Sequence, residues 1–315
     1  LYYIAHRLFA AHDRVLAATL ADRLARKVGA DNVFLPFCDT NEEDLVADEK
    51  GRRLYELDRE RLNHLDGMIA LLHGPSLDDG VCMELGYAAA LGVPTIILTT
   101  DFQTYSLTPD GQQLAFADPL VETTATSVIR AAHLGPEAQA PAPARRFAAF
   151  AARNRAQIDH ACTQAIAALL EHAPRRRPQA PRSTRTTYVE PARYDAEPDR
   201  LITALRLHIS GQVIGAHRFT APDPLDGAEQ DWQTALHADT VIADVSGPET
   251  PPGAALLIGA AAALGHTAIS YTPRPEYTHA PGREPNWRNL MIQYASRYLL
   301  TDPAGLAEEQ AQWTW

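Results

Sequence analysis

The sequence predicts an α/β protein built from two tandem parallel-sheet domains. Short β-prone runs alternate with helical apolar stripes at the spacing of βα units. The pattern of the first half then recurs in the second, and 315 residues suit two domains by size.

Residues 1–5, Leu-Tyr-Tyr-Ile-Ala, form a β-prone run. Residues 12–28 place Val15, Leu16, Leu20, Leu24 and Val28 at helical spacing. Residues 32–37 read as a second strand. Residues 52–65 read as a helix with Leu54, Leu57, Leu62 and Leu65 on one side. Residues 67–72 are a continuous apolar run, the mark of a strand buried on both faces. An Ala-rich helix over 80–91 and a strand over 95–98 follow. Residues 135–144, rich in Pro and Ala, are a loop. Residues 145–172 are one long helix, striped by Phe147, Phe150, Ile158, Cys162, Ile166, Leu169 and Leu170. Residues 174–184, Pro-Arg-Arg-Arg-Pro-Gln-Ala-Pro-Arg-Ser-Thr, are a linker.

Beyond the linker the first half returns. The segment from Tyr188 lies over that from Tyr3 at an offset of 185. Asp239-Thr-Val-Ile-Ala-Asp-Val-Ser-Gly-Pro248 lies over Asp66-Gly-Met-Ile-Ala-Leu-Leu-His-Gly-Pro75 at an offset of 173, and the same offset lays the helix from Gly253 over that from Gly80. Matching Gly-Pro, three glycines and the preceding strand without a gap indicate a tandem duplication. The change of offset means that the second copy is 12 residues shorter, a loss the sequence places in the region of residues 40–54.

Hydrophobic residues make up 46% and charged residues 21%, an ordinary globular balance. A net charge of -11 repels phosphate backbones and argues against a nucleic-acid partner. The basic run Arg175-Arg176-Arg177 belongs to the linker. Cys38, Cys82 and Cys162 form no disulfide framework and no metal-ligand spacing, which suits a reducing cytoplasm. No apolar stretch of roughly 18 residues lacks charges, so no membrane span is expected. No signal-peptide pattern opens the chain, whose first residue, Leu1, suggests that native residues precede it. No metal site is expected, because the 12 histidines are scattered. No Gly-x-Gly-x-x-Gly follows the first strand, which argues against a dinucleotide-dependent dehydrogenase.

The stretch richest in chemistry is Gly74-Pro-Ser-Leu-Asp-Asp-Gly-Val-Cys-Met-Glu-Leu-Gly-Tyr87, between a strand end and a helix start, where open α/β sheets bind ligands. Asp78 or Asp79 suits the N-cap, and Gly80 lets a ligand approach the backbone. Glu84 is the anomaly, a carboxylate in a helix otherwise suited to burial. It either serves a site or faces water and complements the helix dipole. Asp58, on the helix before the central strand, should abut the same edge or stand solvated among Asp58-Arg-Glu-Arg61.

Tyr3-Ile-Ala-His-Arg-Leu-Phe9, Phe34-Leu-Pro-Phe-Cys-Asp39, Asp58, Asp66 and Asp78-Asp-Gly-Val-Cys-Met-Glu-Leu-Gly-Tyr-Ala88 resemble, in that order, the nucleoside 2-deoxyribosyltransferase family. The resemblance implies flavodoxin-like or Rossmann-like domains, Glu84 as nucleophile, Asp78 and Asp58 as further catalytic carboxylates, and Tyr3 as the hydroxyl that holds Glu84. Phe9 and Phe37 become candidates to stack on the base, or else core residues. Asp39, with Thr40 and Asn41, stands where a base-reading glutamine is usual. Gly80 lines the substrate. The implied substrates are a small nucleoside or nucleotide and a free nucleobase, with no cofactor, as in nucleoside salvage. His6-Arg7 replaces the usual small pair, and Arg7 could reach a 5′-phosphate or pair with a surface acid.

The second copy keeps Asp231 for Asp58 but has Leu257 for Glu84 and Pro251-Pro252 for Asp78-Asp79. Leucine cannot attack a sugar. Yet the second copy alone carries Asn289-Leu290-Met291, which resembles a family segment that enters the neighbouring subunit's site. The expectation is an intramolecular pseudo-dimer with one site, to which residues 1–134 supply Glu84 and residues 185–315 supply Asn289 and Met291, with the long helix and linker over 135–184. Pseudo-dimers could associate further by analogy with the family. The expected activity is deoxyribosyl transfer. The alternatives are hydrolysis of a nucleoside or nucleoside 5′-monophosphate, and a non-catalytic nucleotide sensor.

Overall fold

The computed structural model describes residues 1–40, 50–135, 142–175, 183–192, 199–277 and 286–306. The first unit runs β1 (Tyr2–Ala5), α1 (Ala11–Val28), β2 (Val33–Phe34), α2 (Lys50–Leu62), β3 (Gly67–Leu71), α3 (Asp79–Ala90) and β4 (Thr95–Thr99). A small hairpin, β5 (Ser106–Leu107) and β6 (Gln113–Leu114), leads to α4 (Pro119–Thr124), β7 (Ser127–Arg130) and α5 (Arg146–Leu170). The second unit runs β8 (Ser183–Glu190), α6 (Asp199–Leu205), β9 (Gln212–Gly215), α7 (Pro224–His237), β10 (Ala238–Asp244), α8 (Pro252–Leu264), β11 (Thr267–Tyr271), α9 (Leu290–Ala295) and β12 (Tyr298–Leu300).

Each unit holds one five-stranded parallel sheet, ordered β2-β1-β3-β4-β7 in the first and β9-β8-β10-β11-β12 in the second. These are the same order, the flavodoxin-like one, with its reversal beside the first strand of each unit. Strands β3 and β4 are buried along their whole length because helices cover both faces. On the outer face α1 and α5 pack Leu20, Leu24, Cys162, Ile166 and Leu169 against Ile69, Leu71, Ile96 and Leu98. The long helix thus completes the first unit. Gly67 makes room for it, since a Cβ there would lie 2.6 Å from the Leu169 side chain. The inner face of the first sheet, α3, α8 and the inner face of the second sheet share one continuous core that includes Tyr3, Met83, Tyr188, Trp232 and Leu257.

That shared core has a pseudo-two-fold centre. A Cβ on Gly86 would collide with the Leu256 carbonyl, and one on Gly259 with the Met83 carbonyl. Gly86 and Gly259 are 173 positions apart, and so are Met83 and Leu256. Reciprocal contact of equivalent residues is the mark of an isologous interface. On either side of it lies a flanking contact, α2 with α9 and α4 with α7.

Register is in keeping with the correspondence and corrects one detail. Tyr3 pairs with Phe34 and Met68, and Tyr188 pairs with Ile214 and Val241. The offsets of these three pairs are 185, 180 and 173, so the second copy loses 5 residues before its second strand and 7 after it. The loss is therefore not confined to the region of residues 40–54, of which 41–49 lie outside the described residues. The strand expected over 32–37 also stops at Phe34. Phe37 has φ 67, in the left-handed region. The Asp39 carboxylate accepts from Leu35 N at 2.8 Å and Thr40 Oγ1 accepts from Phe37 N at 3.1 Å, so side chains take bonds a ladder would need. The linker ends earlier than its composition suggests, because β8 begins at Ser183; residues 176–182 lie outside the described ones. Cys38, Cys82 and Cys162 are free, and among the described residues no helix is long and apolar enough to cross a membrane.

Candidate active site

Helix α3 begins where a carboxylate can cap it. Asp78 is the N-cap, its Oδ1 accepting from Val81 N at 3.0 Å. From Gly80 to Ala90 every residue is buried, because α3 is wedged between its own sheet and α8. Glu84 is therefore buried too, at 7% exposure. A carboxylate so placed needs a donor, and Tyr3 provides one: its hydroxyl donates to Glu84 Oε1 at 2.7 Å. Tyr3 reaches it from β1, where it is fully buried and tilted against Phe34 with ring centroids 5.1 Å apart.

Asp58 lies one helix over, on α2, 8% exposed. Burial, then the charges of Glu84 and Asp58, push the Tyr3 hydroxyl well above its ordinary pKa. Tyr3 is thus a permanent donor, and both carboxylates act on it. One turn beyond Asp58, Arg61 Nη1 stands 3.7 Å from Asp58 Oδ1, with its guanidinium 4.0 Å above the centroid of the Phe34 ring. The sequence analysis gives Arg61 no role of its own; its i,i+3 spacing from Asp58 is the available signal.

The second unit closes the other end. Asn289 is the N-cap of α9, its Oδ1 accepting from Met291 N at 2.9 Å. That bond leaves its Nδ2 facing α3, where a Cβ on Gly80 would lie 2.9 Å away. Gly80 therefore admits Asn289. Met291 is buried in the shared core. Asp79, which the sequence offered only as a cap, faces Thr250 and Asn289. Burial, then the charge of Asp78, raises it to about 6, while Thr250 and Asn289 favour its ionised form. Burial raises Asp78 as well, opposed by the Val81 N–H and by Arg7. Arg7 itself donates to the Ser76 carbonyl. His6 is buried, with Nδ1 2.7 Å from the Arg7 carbonyl, and burial lowers its pKa.

The residues suggested for the base are more exposed than Tyr3, Asp58 and Glu84. Phe37 is half-buried under the Arg14 guanidinium, 5.1 Å from its ring centroid. Asp39 is exposed and closes its own turn. Phe9 is 85% exposed. Asn41 lies outside the described residues. No group of three His, Cys, Asp or Glu side chains is arranged to hold a metal ion among the described residues.

The profile of the family described as nucleoside 2-deoxyribosyltransferase matches residues 2–120, a span that holds Tyr3, Asp58, Asp78 and Glu84. Residues 2–120 are a nucleoside 2-deoxyribosyltransferase-family domain. Among curated proteins none matches the chain. Among solved structures, a conserved protein from Enterococcus faecalis V583 is 30% identical over 33% of this chain and 66% of that one, with a TM-score of 0.29.

The second unit contains a counterpart of the cluster around Glu84, filled by its own chain. Tyr188 stands for Tyr3, Asp231 for Asp58, Gly253 for Gly80, Leu257 for Glu84, and Asp118, the N-cap of α4, for Asn289. Arg218, from the loop after β9, is fully buried among them. A Cβ on Gly253 would collide with its guanidinium. Sequence reasoning missed this residue.

Proposed function

We propose that the chain is a nucleoside 2-deoxyribosyltransferase with one active site, in which Glu84 is the nucleophile. The observation that carries the reading is the buried Glu84 carboxylate, held through Oε1 by a phenol that cannot ionise near neutrality. The other carboxylate oxygen attacks C1′ of a 2′-deoxynucleoside. The C1′–N bond breaks, its electron pair leaves with the base, and a glycosyl ester forms on Glu84. Asp58 supplies or relays the proton the departing base takes up. The negative charge of the site favours the oxocarbenium-like transition state. An acceptor base then attacks C1′ through a ring nitrogen, the C1′–O ester bond breaks to release the Glu84 carboxylate, and the acceptor's N–H proton returns to Asp58. Asp78 caps α3 with one oxygen and offers the other to a sugar hydroxyl. Asn289 closes the sugar end, and Phe37 and Asp39 border the base.

The test is chromatography of a 2′-deoxynucleoside with a second free base, beside a reaction without that base and a Glu84→Ala control. A new deoxynucleoside that depends on Glu84 supports transfer. Free sugar and free base without exchange assign hydrolysis instead, with a nucleoside 5′-monophosphate as the next substrate. No turnover on any of these overturns the enzymatic reading in favour of a sensor.

A further inference from the structure

The Arg218 guanidinium spends all five of its donors. Nε donates to Asp118 Oδ1 at 2.8 Å and Nη2 to Asp118 Oδ2 at 3.0 Å. Nη1 donates to Glu190 Oε2 at 3.0 Å and to Asp231 Oδ2 at 3.1 Å, and Nη2 also donates to Glu190 Oε1. Two carboxylates thus receive bidentate forks, the arrangement guanidinium fits best. The side chains of all four residues are at most 1% exposed. Asp231 is fixed in turn by the His217 and Arg218 backbone N–H groups at 2.7 and 3.1 Å. Asp118 caps α4 of the first unit, whereas Glu190, Asp231 and Arg218 come from β8, α7 and the loop after β9 of the second. One side chain therefore ties the two units together at the place where the second unit would bind substrate.

The position of this tie matters because the interface is pseudo-symmetric. Its centre is the close α3–α8 contact at Gly86 and Gly259, and such a contact can act as a pivot. The flank on one side is α4 against α7, where Arg218 sits. The flank on the other is α2 against α9, where Asn289 meets Gly80. Rocking about the pivot would move both flanks at once, so play gained at α4–α7 becomes play at α2–α9. We propose that Arg218 converts the unused pocket into a clamp that holds the α4–α7 flank shut and so keeps Asn289 in register at the Glu84 site. This makes Arg218 a positioning residue, and its kinetic consequence rests on the reading of the Glu84 site as the active one. Burial opposes the Arg218 charge, but Asp118 and Glu190 overcome it and keep the guanidinium protonated.

The experiment uses the full chain with Arg218→Ala, and reads steady-state kinetics together with backbone hydrogen exchange. If release of the clamp leaves about a tenth of the molecules with Asn289 in place, KM rises on the order of tenfold while kcat changes by less than about threefold. Guanidinium ion at low millimolar concentration should lower KM again, and urea should not. Exchange should accelerate in α9 and not in α5, which packs on the far face of the first sheet. Arg218→Lys, which keeps the charge but not the five-donor fork, should resemble the Ala variant. Asp118→Asn, which can still cap α4 through its amide oxygen, replaces Arg218→Ala if that variant does not fold. Unchanged KM and unchanged α9 exchange in a folded variant would overturn the clamp. If the wild-type chain turns over no nucleoside, the activity reading fails, and the α9 exchange alone decides the clamp.

Discussion

Glu190→Gln tests the electrostatics of the filled pocket. Burial is the largest influence on Glu190 and raises it from 4.5 to about 7 against the opposing pull of Arg218. Between those values the folded protein holds a proton that the unfolded chain has released. Stability contributed by this group is therefore fully present below about 4.5 and is lost as pH rises through about 7. A shift of about 2.5 units corresponds to on the order of 3 kcal/mol, of which about 2–3 kcal/mol falls between about pH 5 and about pH 8. Gln cannot ionise and removes that slope. The assay is urea unfolding of both proteins at about pH 5 and about pH 8. Each protein is compared with itself, so any hydrogen bond that Gln fails to make at both pH values cancels. The wild-type chain should lose about 2–3 kcal/mol more than the variant over that interval. Equal losses in the two proteins would refute the reasoning, because Glu190 would then titrate alike folded and unfolded.

Three further outcomes follow from the geometry. Gly259→Ala drives a methyl into the Met83 carbonyl, so α3 and α8 must part and stability should fall by about 1–3 kcal/mol or more, measured by thermal or urea unfolding. Tyr3→Phe removes a hydrogen bond to a charged group, of about 1.5–3 kcal/mol, and should lower kcat by about 10- to 100-fold with little change in KM in steady-state assays. Ionised Asp79 is favoured by Asn289 and Thr250, so KM should rise as pH falls through about 6, and Asp79→Asn should flatten that limb of the KM–pH profile.

The sequence made the fold legible because fold is written in period. The parallel sheets and the long helix follow from strand-length apolar runs between helical stripes, and the duplication follows from glycines that the α3–α8 contact requires, whereas the order of the strands is not written in that pattern. Glu84 stood out for the opposite reason, as a carboxylate inside a helix otherwise suited to burial, though the pattern alone left a solvated role open and only the structure shows it buried. What sequence could not reveal is interaction over distance. Arg218 lies in Ala216-His-Arg-Phe-Thr220, which has no periodicity, and its partners Asp231, Glu190 and Asp118 are 13, 28 and 100 residues away. Such a cluster leaves no local signature. The strand expected over 32–37 failed on a side-chain choice, since Asp39 and Thr40 captured the backbone N–H groups of Leu35 and Phe37.

The two halves differ in ways that make physical sense only together. In a symmetric dimer every subunit must carry both the nucleophile and the segment that enters its neighbour's site. In a fused pair each half needs only one of them. Here the first half keeps Glu84 and has Asp118 where the second has Asn289, and the second half has Leu257 where the first has Glu84. Asp serves as well as Asn at a helix N-cap, and Asp118 does cap α4, accepting from Leu120 N at 3.0 Å. But Asp also brings a charge into a buried pocket that already holds Asp231 and Glu190. Three carboxylates without a cation would be costly there, and a nucleoside carries no cation to offset them. Arg218 resolves the conflict from within the chain, and by filling the pocket it removes any use for a nucleophile at position 257. Leu257, the Asp118 cap and the buried arginine thus fit one another, and Leu257→Glu alone should give no nucleoside turnover in a Glu84→Ala background while Arg218 remains.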